Sequence, residues 1–515
     1  MEKKILFNAT PTEKRAALLE NEKVVELVVE RPDYFRLVGN IYRGKVTSIL
    51  PGIQAAFVDI GLDKCAFLHA TDVDPSVLLD ADDSLMERYT GQGGSNKRKR
   101  IAKIPIEKVL TVGQAILVQV LKEPISTKGA KLSTQISLAG RFLVLVPDTD
   151  FIGVSKKTSD VKRRSRLKKI ISDIKPQGVG FIVRTIGLKV SEQEFINEIH
   201  QLLDFWRKAQ EEALSGSGPK LVHRELGITT RVIRDLFSED VTKVYADQEE
   251  DYREILDYLR ALSPALCNRV VHYKEKVPLF DHFDIEKDLD RLLKRKVWLR
   301  SGGYVLIDRT EALVAIDVNT GRNIGKSSLE DTIFKTNLDA ATEICRQLRL
   351  RDIGGLIVVD FIDMKLAEHR RTIERTMLKL LAADPSANAC TGLSKFGLME
   401  ITRKRVRPEL QEYFTDVCPA CEGLGWVFSA ESVTAHIDRD LRRSSDKKGD
   451  LELSVPSSVS AYLLKEGGQI KKMLEKEHGR KLVISVNEEL DQDEYSIKTV
   501  SHRGKSRGSD QETVS

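Results

Sequence analysis

The 515-residue sequence has no apolar run close to the length of a membrane span, and it begins without the hydrophobic region of a signal peptide. With 41% hydrophobic residues, the chain is predicted to be a soluble protein that is long enough for several domains. An excess of one charge is also absent, because 82 basic residues are balanced by 77 acidic ones. Net charge therefore indicates no class of partner, and the positions of the charges carry the information.

Cysteine is scarce, with six residues, and only Cys418 and Cys421 lie close together. This usage fits a reducing cytoplasm and one metal site rather than a disulfide framework. The segment Cys-Pro-Ala-Cys-Glu-Gly-Leu-Gly that they begin predicts a zinc knuckle, whose glycines let backbone amides approach the sulfurs. A redox pair is the alternative, but it normally opens a helix after a strand. Two thiolates fill half of a tetrahedral shell, so we expect another copy of the chain to supply the other ligands.

Basic residues cluster at four places along the chain. One such cluster is usually a solvated face or a linker, but four in one chain favour a polyanionic partner. The clusters are residues 97–100, 162–169, 294–296 and 403–407.

Residues 36–125 contain short strand-like runs separated by glycine and proline, which predicts a small β-barrel. A polar, glycine-containing stretch at 80–103 predicts a loop insertion in it. OB-type barrels hold single-stranded nucleic acid by stacking bases on exposed rings while cations follow the phosphates. A ring in a strand is otherwise a core residue. The candidate contacts to nucleic acid are Phe57, Phe67, Tyr42, Arg43, Lys45 and Lys122.

Two aspartates each end a hydrophobic, strand-like run: Asp317 within residues 312–319 and Asp360 within residues 355–364. Between the runs, the sequence Ser-Ser-Leu-Glu at 327–330 predicts a capping box at the start of a long helix. A strand–helix–strand crossover makes its two strands parallel. Both carboxylates should therefore lie at the same sheet edge, where open α/β sheets bind ligands.

Two carboxylates at one edge suit a hard divalent cation, Mg²⁺ above all. A single aspartate at a strand end is more often a turn former, but the pair Asp317 and Asp360 favours a metal site, and Asn319 follows two residues after the first. Asp363 lies three residues past Asp360, so on a strand it should point elsewhere and be structural.

Longer motifs occur in an order that resembles the bacterial ribonuclease E/G family, in particular its shorter G type. They are Val-Arg-Thr at 183–185, AIDVNTGR at 315–322, RLRDIGGLIVVDFIDM at 349–364 and CPxCxG at 418–423. The resemblance covers roughly residues 1–428.

The resemblance implies a multidomain α/β protein. An OB-fold barrel and a sensor domain are inserted in an RNase H-like subdomain, and a DNase I-like α/β catalytic subdomain, a zinc link and a small C-terminal domain follow. The first part, 1–35, is expected to be a strand, a helix and a second strand. Residues 463–475 are expected to form a helix that contacts RNA or a second copy, or is merely stable. The implied ranges are 1–35 and 229–292 (RNase H-like), 36–125 (barrel), 126–228 (5′ sensor), 293–414 (catalytic), 415–428 (zinc link), 429–500 (C-terminal domain) and 501–515 (disordered tail).

The resemblance also implies an Mg²⁺-dependent endoribonuclease that cleaves single-stranded RNA in rRNA and tRNA processing and mRNA decay, leaving 5′-phosphate and 3′-hydroxyl ends. Asp317 and Asp360 would hold the metal, and Asn319 would orient the first carboxylate or contact the scissile phosphate. Arg184 and Thr185 resemble the family's pocket for a stimulating 5′-monophosphate, since a guanidinium and a hydroxyl suit a terminal phosphate.

The implied partners are single-stranded RNA and further copies of the chain, as a homodimer or a dimer of dimers joined by shared Zn²⁺. A cytoplasmic location is expected. The long scaffold tail of the larger E-type enzymes is missing, so docking of degradosome partners through such a tail is not expected. The alternative is a non-catalytic RNA-binding or ribosome-maturation protein, which would need a broken aspartate pair. A DNase is a weaker rival, because the barrel pattern resembles an RNA-binding type.

Overall fold

The computed structural model describes residues 2–31, 36–74, 105–124, 128–155, 160–321, 328–386, 388–443 and 449–500. The chain divides into two compact units, Met1–Tyr413 and Phe414–Ser515. The predicted loop insertion at 80–103 and the predicted tail at 501–515 lie outside the described residues.

The first unit is built from strands and helices that are numbered here along the chain. Its strands are β1 (Lys3–Ala9), β2 (Lys14–Glu20), β3 (Lys23–Glu30), β4 (Ile41–Leu50), β5 (Ala55–Asp59), β6 (Ala66–His69), β7 (Ala115–Lys122), β8 (Lys131–Ser133), β9 (Leu138–Ala139), β10 (Leu143–Val146), β11 (Ile152–Val154), β12 (Gly180–Val183), β13 (Lys220–His223), β14 (Val241–Ala246), β15 (Val270–His272), β16 (Lys296–Trp298), β17 (Tyr304–Arg309), β18 (Leu313–Asn319), β19 (Gly355–Asp360), β20 (Asn388–Cys390) and β21 (Leu398–Arg403). Its helices are α1 (Val161–Ile174), α2 (Glu192–Leu214), α3 (Ile228–Leu236), α4 (Glu249–Leu262), α5 (Leu279–His282), α6 (Ile285–Leu292), α7 (Leu329–Leu350) and α8 (Ala367–Ala382), with α9 (Leu410–Phe414) at its end.

The sheet that begins the chain has five strands in the order β15-β14-β1-β2-β3. Strand β1 lies parallel to β14, so the first strand pairs with one that follows the barrel and the predicted sensor segment, residues 126–228. The helix expected within residues 1–35 is wrong, because that stretch forms β2, antiparallel to β1. Ala16, Ala17, Leu18 and Leu19 are good helix formers, but all four are buried in the sheet. Burial against neighbouring elements therefore outweighs local helix propensity.

A closed five-stranded barrel follows, and the predicted barrel is confirmed. Its strands run in the order β4-β5-β6-β8-β7, and β7 pairs again with β4 to close it. Strand β13 adds to the free side of β4. The interior is apolar and includes Val46, Val58, Leu68, Val118 and Leu132.

The segment after the barrel forms a four-stranded sheet in the order β11-β12-β10-β9. Helix α2 begins with a capping box between Ser191 and Glu194. On the same helix, Glu198 is fully buried and accepts backbone N–H groups of residues 141–143. Burial raises the pKa of Glu198 to about 7, although these hydrogen bonds favour its charged form. Strand β12 ends at Val183, which places Arg184 and Thr185 just beyond the sheet.

The last sheet of the first unit has six strands in the order β16-β17-β18-β19-β21-β20. Strands β18 and β19 are parallel and α7 joins them, so the predicted strand–helix–strand crossover is confirmed. The capping differs from the expectation, because Ser328 is the N-cap and accepts the backbone N–H of Asp331. One sheet face packs on α7 and α8 through residues that include Ile316, Val359 and Met377. The other face carries no helix of this cluster, and its side chains are half-buried or exposed.

The second unit contains α10 (Ala430–Arg443), β22 (Asp450–Val455), α11 (Ser457–His478), β23 (Leu482–Val486) and β24 (Ser496–Val500). Strand β22 is central, parallel to β23 and antiparallel to β24. The helix expected at 463–475 is interrupted, because residues 465–468 have non-helical backbone angles. Gly467 and Gly468 both have positive φ, which glycine adopts readily. Across both units, none of the described helices is long and apolar enough to cross a membrane.

Candidate active site

Asp317 and Asp360 occupy directly opposite positions on the neighbouring parallel strands β18 and β19. Side chains alternate along a strand, so the burial of Ile316 and Val359 turns both aspartates to the open face, where both are exposed. Neighbouring strands lie about 4.8 Å apart, which puts the two carboxylates within reach of one small cation. Asn319 is on the same face, and its Nδ2 donates a 2.7 Å hydrogen bond to Oδ2 of Asp317. The structure thus brings the three predicted catalytic residues together.

The carboxylates repel one another. The pKa of Asp360 is raised, first by partial burial and then by the negative charges of Asp317 and Asp363. Asp363 was expected to point away, but β19 ends at Asp360, so strand alternation no longer sets its direction. Like charges this close disfavour ionisation, and an opposite charge among them would favour it.

Two side chains that the sequence analysis did not assign to the site hold the segment after Asp360. Asn337, fully buried in α7, donates to the backbone oxygen of Ile362 at 2.8 Å and accepts its N–H at 3.2 Å. Glu330 accepts the backbone N–H groups of Lys365 and Leu366, and these bonds lower its pKa. The available signal for Asn337 was a polar residue on the apolar stripe of a helix.

Glycines allow a close backbone approach beside Asn319. A Cβ on Gly303 would lie 2.6 Å from the backbone oxygen of Asn319, and one on Gly321 would lie 2.6 Å from that of Gly302. Any larger residue at Gly303 or Gly321 would shift the end of β18, and with it Asn319.

Comparison with known proteins identifies the family. The model of the ribonuclease E/G family matches residues 137–406, more than half of the chain. This chain belongs to the ribonuclease E/G family. A second family model, described as the RNase E/G thioredoxin-like domain, matches residues 417–500 and so spans the predicted zinc link and C-terminal domain together.

Individual relatives agree with this assignment. Ribonuclease G of Escherichia coli K12 is 38% identical over 443 residues, covering 86% of this chain and 88% of the relative. Ribonuclease G of Haemophilus influenzae is 36% identical over 464 residues, covering 90% and 92%. Ribonuclease E of E. coli K12 is 35% identical over 501 residues, covering 96% of this chain but 46% of the relative. The protein is therefore an endoribonuclease, as the sequence predicted.

The barrel of this ribonuclease presents a pair of rings on its outer side. Phe57 and Phe67 are cross-strand partners, and their ring centroids lie 6.2 Å apart in an edge-on arrangement. Both rings are half-buried and lie outside the apolar core. Two neighbours were missed: His69, whose ring lies 6.4 Å from that of Phe67, and Lys131, the partner of Phe67 on β8. The spacing of two residues from Phe67 could have identified His69.

The four polar or cationic barrel candidates separate into two groups. Lys45 and Lys122 are exposed. The prediction that Tyr42 contacts RNA is wrong. Tyr42 is 6% exposed and belongs to the barrel core, so no base can stack on its ring. The prediction that Arg43 contacts RNA is also corrected, because its side chain has a structural role. Its guanidinium donates to four backbone oxygens in and just past the last turn of α2, including that of Gly216 at 2.7 Å, and so stabilises the C-terminus of that helix.

At the predicted 5′ sensor, the two candidates have different surroundings. Arg184 donates to the backbone oxygen of Gly140 and, at 2.7 Å, to Oδ1 of Asp235. Burial alone would raise the pKa of Asp235, but the charges of Arg234 and Arg184 hold it lower. Thr185 is exposed, and its hydroxyl lies 3.1 Å from that of Ser155. A phosphate would meet an exposed hydroxyl and a guanidinium that already has a carboxylate partner.

Cys418 and Cys421 lie in a run of turns, and the next helix begins at Ala430. A redox pair at a helix start is therefore not the geometry found here. Backbone N–H groups of Gly425 and Gly423 lower the pKa of Cys421, with a smaller contribution from the Cys418 side chain. The described residues hold no group of three or more His, Cys, Asp or Glu side chains that could bind a metal.

Proposed function

We propose that this endoribonuclease cleaves single-stranded RNA at Asp317 and Asp360, with Mg²⁺ as the metal. The observation that carries the proposal is the opposed position of the two carboxylates on β18 and β19, on the sheet face opposite α7 and α8. The open face leaves room for an extended RNA strand to cross the pair. Cleavage would leave a 5′-phosphate and a 3′-hydroxyl, within rRNA and tRNA processing and mRNA decay.

The donor set fits Mg²⁺. That ion usually binds one or two protein carboxylates and keeps several water molecules, so it needs no larger protein cage. Repulsion among Asp317, Asp360 and Asp363 also favours a cation, since the negative charges of Asp317 and Asp363 add to the effect of burial in raising the pKa of Asp360. When bound there, Mg²⁺ would neutralise charge on the scissile phosphate and lower the pKa of a water molecule.

The protein groups around the pair would position it. The hydrogen bond from Asn319 limits rotation of the Asp317 carboxylate. On the other strand, Asn337 fixes the backbone at Ile362, two residues after Asp360. Both carboxylates would thus meet the substrate already oriented, which lowers the entropic cost of reaching the transition state.

The barrel and the sensor segment would hold the rest of the RNA. Phe57 and Phe67 offer partly exposed ring surface for base stacking, while Lys45 and Lys122 would follow the phosphates. Thr185 and Arg184 would receive a 5′-monophosphate, which would compete with Asp235 for the guanidinium. A triphosphate is bulkier and would be excluded.

The knuckle of Cys418 and Cys421 would bind one Zn²⁺ jointly with the same residues of a second chain. Two thiolates per copy make half of a tetrahedral shell. The lowered pKa of Cys421 supports this role, because the thiolate is the form that binds metal. A homodimer, or a dimer of dimers, would result.

The test is cleavage of a 5′-monophosphorylated single-stranded RNA by Asp317→Asn and Asp360→Asn variants, with and without Mg²⁺. Each variant should lose about 10³-fold or more in rate while RNA binding stays near wild type, because only the cation site changes. Asp257→Asn is the matched control, since that carboxylate is 72% exposed on α4. Near wild-type cleavage by either variant in Mg²⁺ would contradict the assignment.

A further inference from the structure

An exposed aromatic pair lies at the edge of the catalytic sheet. Trp298 on β16 is the cross-strand partner of Tyr304 on β17, and their ring centroids lie 5.5 Å apart at 68°. Trp298 is 60% exposed, whereas its neighbours Val297 and Leu299 pack against the core of the sheet. Core packing therefore accounts for Val297 and Leu299, but it does not explain why an indole is placed at the exposed position 298.

The pair continues the row of the active-site residues. Tyr304 is the partner of Asn319 on β18, so residues 298, 304 and 319 lie opposite one another on three adjacent strands. Directly opposed residues share a face, and Asp317 lies on that face two residues before Asn319. Two strand spacings separate Trp298 from Asn319, or about 10 Å. The indole therefore lies on the face of the carboxylate pair, two strands from Asp317 and three from Asp360, on the surface that an RNA strand would cross.

Positive charge accompanies the rings. Nζ of Lys296 lies 4.1 Å from the Trp298 ring centroid and 3.6 Å from that of Tyr304. The neighbouring Arg295 pairs with Asp308, and this bond is the main reason why its pKa is raised, with Asp317 adding to the effect. The basic cluster at 294–296 is thus within the electrostatic reach of the candidate active site. Rings flanked by cations are the usual means of binding single-stranded nucleic acid.

Ring surface of the indole is available on the open face, because Trp298 is 60% exposed. The cavity of about 1160 Å³ that β16 also borders is a separate space, since residues of α6 and α7 such as Asp288, Thr342 and Arg346 line it.

We propose that Trp298, supported by Tyr304 and flanked by Lys296, stacks on a nucleobase of the RNA near the scissile phosphate. The proposal rests on the assignment of Asp317 and Asp360 as the cleavage site. Stacking is tolerant of base identity, so the platform would position the strand over the carboxylates rather than select a sequence. Trp298 would then be a substrate-positioning residue of the cleavage reaction.

The first test measures kcat/KM on 5′-hydroxyl RNA, so that recognition of a 5′-phosphate does not contribute. Trp298→Ala should lower kcat/KM by about 5- to 100-fold, which is the range for one lost stacking contact. Trp298→Phe keeps a ring and should retain most activity. Leu378→Ala is the matched control, since that side chain is 53% exposed on α8, on the opposite side of the sheet, and should leave kcat/KM unchanged. Unchanged activity of Trp298→Ala would overturn the proposal.

The second test separates stacking from a structural effect. A series of RNAs, each with one abasic nucleotide near the cut, is cleaved by wild type and by Trp298→Ala. At one position the abasic change should slow the wild type but add nothing to the Trp298→Ala defect, because both remove the same contact. An equal Trp298→Ala defect on every abasic RNA would refute stacking. If Asp317→Asn is inactive and no abasic RNA shows this coupling, the stacking role of Trp298 is wrong but the cleavage site stands. If Asp317→Asn is active, the assignment of the cleavage site itself is wrong.

Discussion

Asn319 donates a 2.7 Å hydrogen bond to Asp317 across the open face of β18, so the orientation of one proposed metal ligand depends on an amide two residues away. Both side chains come from the same strand, and the bond therefore needs no long-range rearrangement to form. The amide adds no charge to a site where carboxylates already repel one another.

Removing this amide should impair cleavage without abolishing it. Asn319→Ala is expected to reduce the cleavage rate by about 10- to 100-fold, the scale of one lost hydrogen bond to a charged group. The Mg²⁺ concentration for half-maximal rate should also rise, because the Asp317 carboxylate would be less ordered. A Mg²⁺ titration of the rate checks both effects. An unchanged rate and an unchanged half-saturation would mean that the bond has no positioning role.

The rings of the barrel should contribute to RNA affinity. Phe57→Ala and Phe67→Ala are each expected to weaken single-stranded RNA binding by about 1–3 kcal/mol, the range for a lost stacking contact. Tyr42→Ala is the contrasting variant, because its ring is in the core and its loss should cost about 3–5 kcal/mol of stability. Binding curves and thermal melts, measured together, separate the cases. If either phenylalanine variant unfolds and its melt accounts for the lost binding, the stacking interpretation is wrong.

The end of the RNA should influence the rate. A monophosphorylated substrate is expected to be cut faster than triphosphorylated or hydroxyl-ended RNA, and Thr185→Val or Arg184→Ala should reduce that difference. Thr185→Val is the cleaner variant, because its side chain is exposed, whereas Arg184→Ala also removes an ion pair with Asp235. Cleavage of hydroxyl-ended RNA should be nearly unchanged for Thr185→Val. Equal wild-type rates on all three ends would refute a sensor at this position.

Zinc content and mass should change together. The double variant Cys418→Ser, Cys421→Ser is expected to lose zinc and to dissociate, since the shared ion would join two chains. Low pH should have the same effect, because protonated thiols do not bind the metal. Mass from light scattering and zinc content from metal analysis should together give one zinc per two chains if the shared site exists. A full zinc per chain, or an unchanged oligomer in the double variant, would contradict the link.

The catalytic sheet could be predicted because its signals are local. Apolar alternation around Asp317 and Asp360, with a capped helix between them, determines two parallel strands whose ends share an edge. The barrel was predictable for the same reason, since its strands follow one another closely in sequence.

The wrong predictions concern residues whose structure depends on parts of the chain that are distant in sequence. Lys14–Glu20 reads as helix alone, yet β1 and β3 on either side make it a strand. Arg43 looked like a phosphate ligand because the helix end that it stabilises is 170 residues away in sequence. The direction of Asp363 could not be predicted from strand alternation, because β19 ends at Asp360. None of these facts is contained in the neighbouring residues.

The parallel pairing of β1 with β14 has a consequence for synthesis of the chain. On the ribosome, β1 to β3 emerge first, but the outer edge of β1 has no partner until Val241–Ala246 has been made. The barrel strands and the sheet of β9 to β12 come in between and find their partners among themselves. The inserted domains can therefore fold before the sheet that begins the chain is complete. During that interval β1 presents an unpaired strand edge, a surface prone to wrong pairing with other chains.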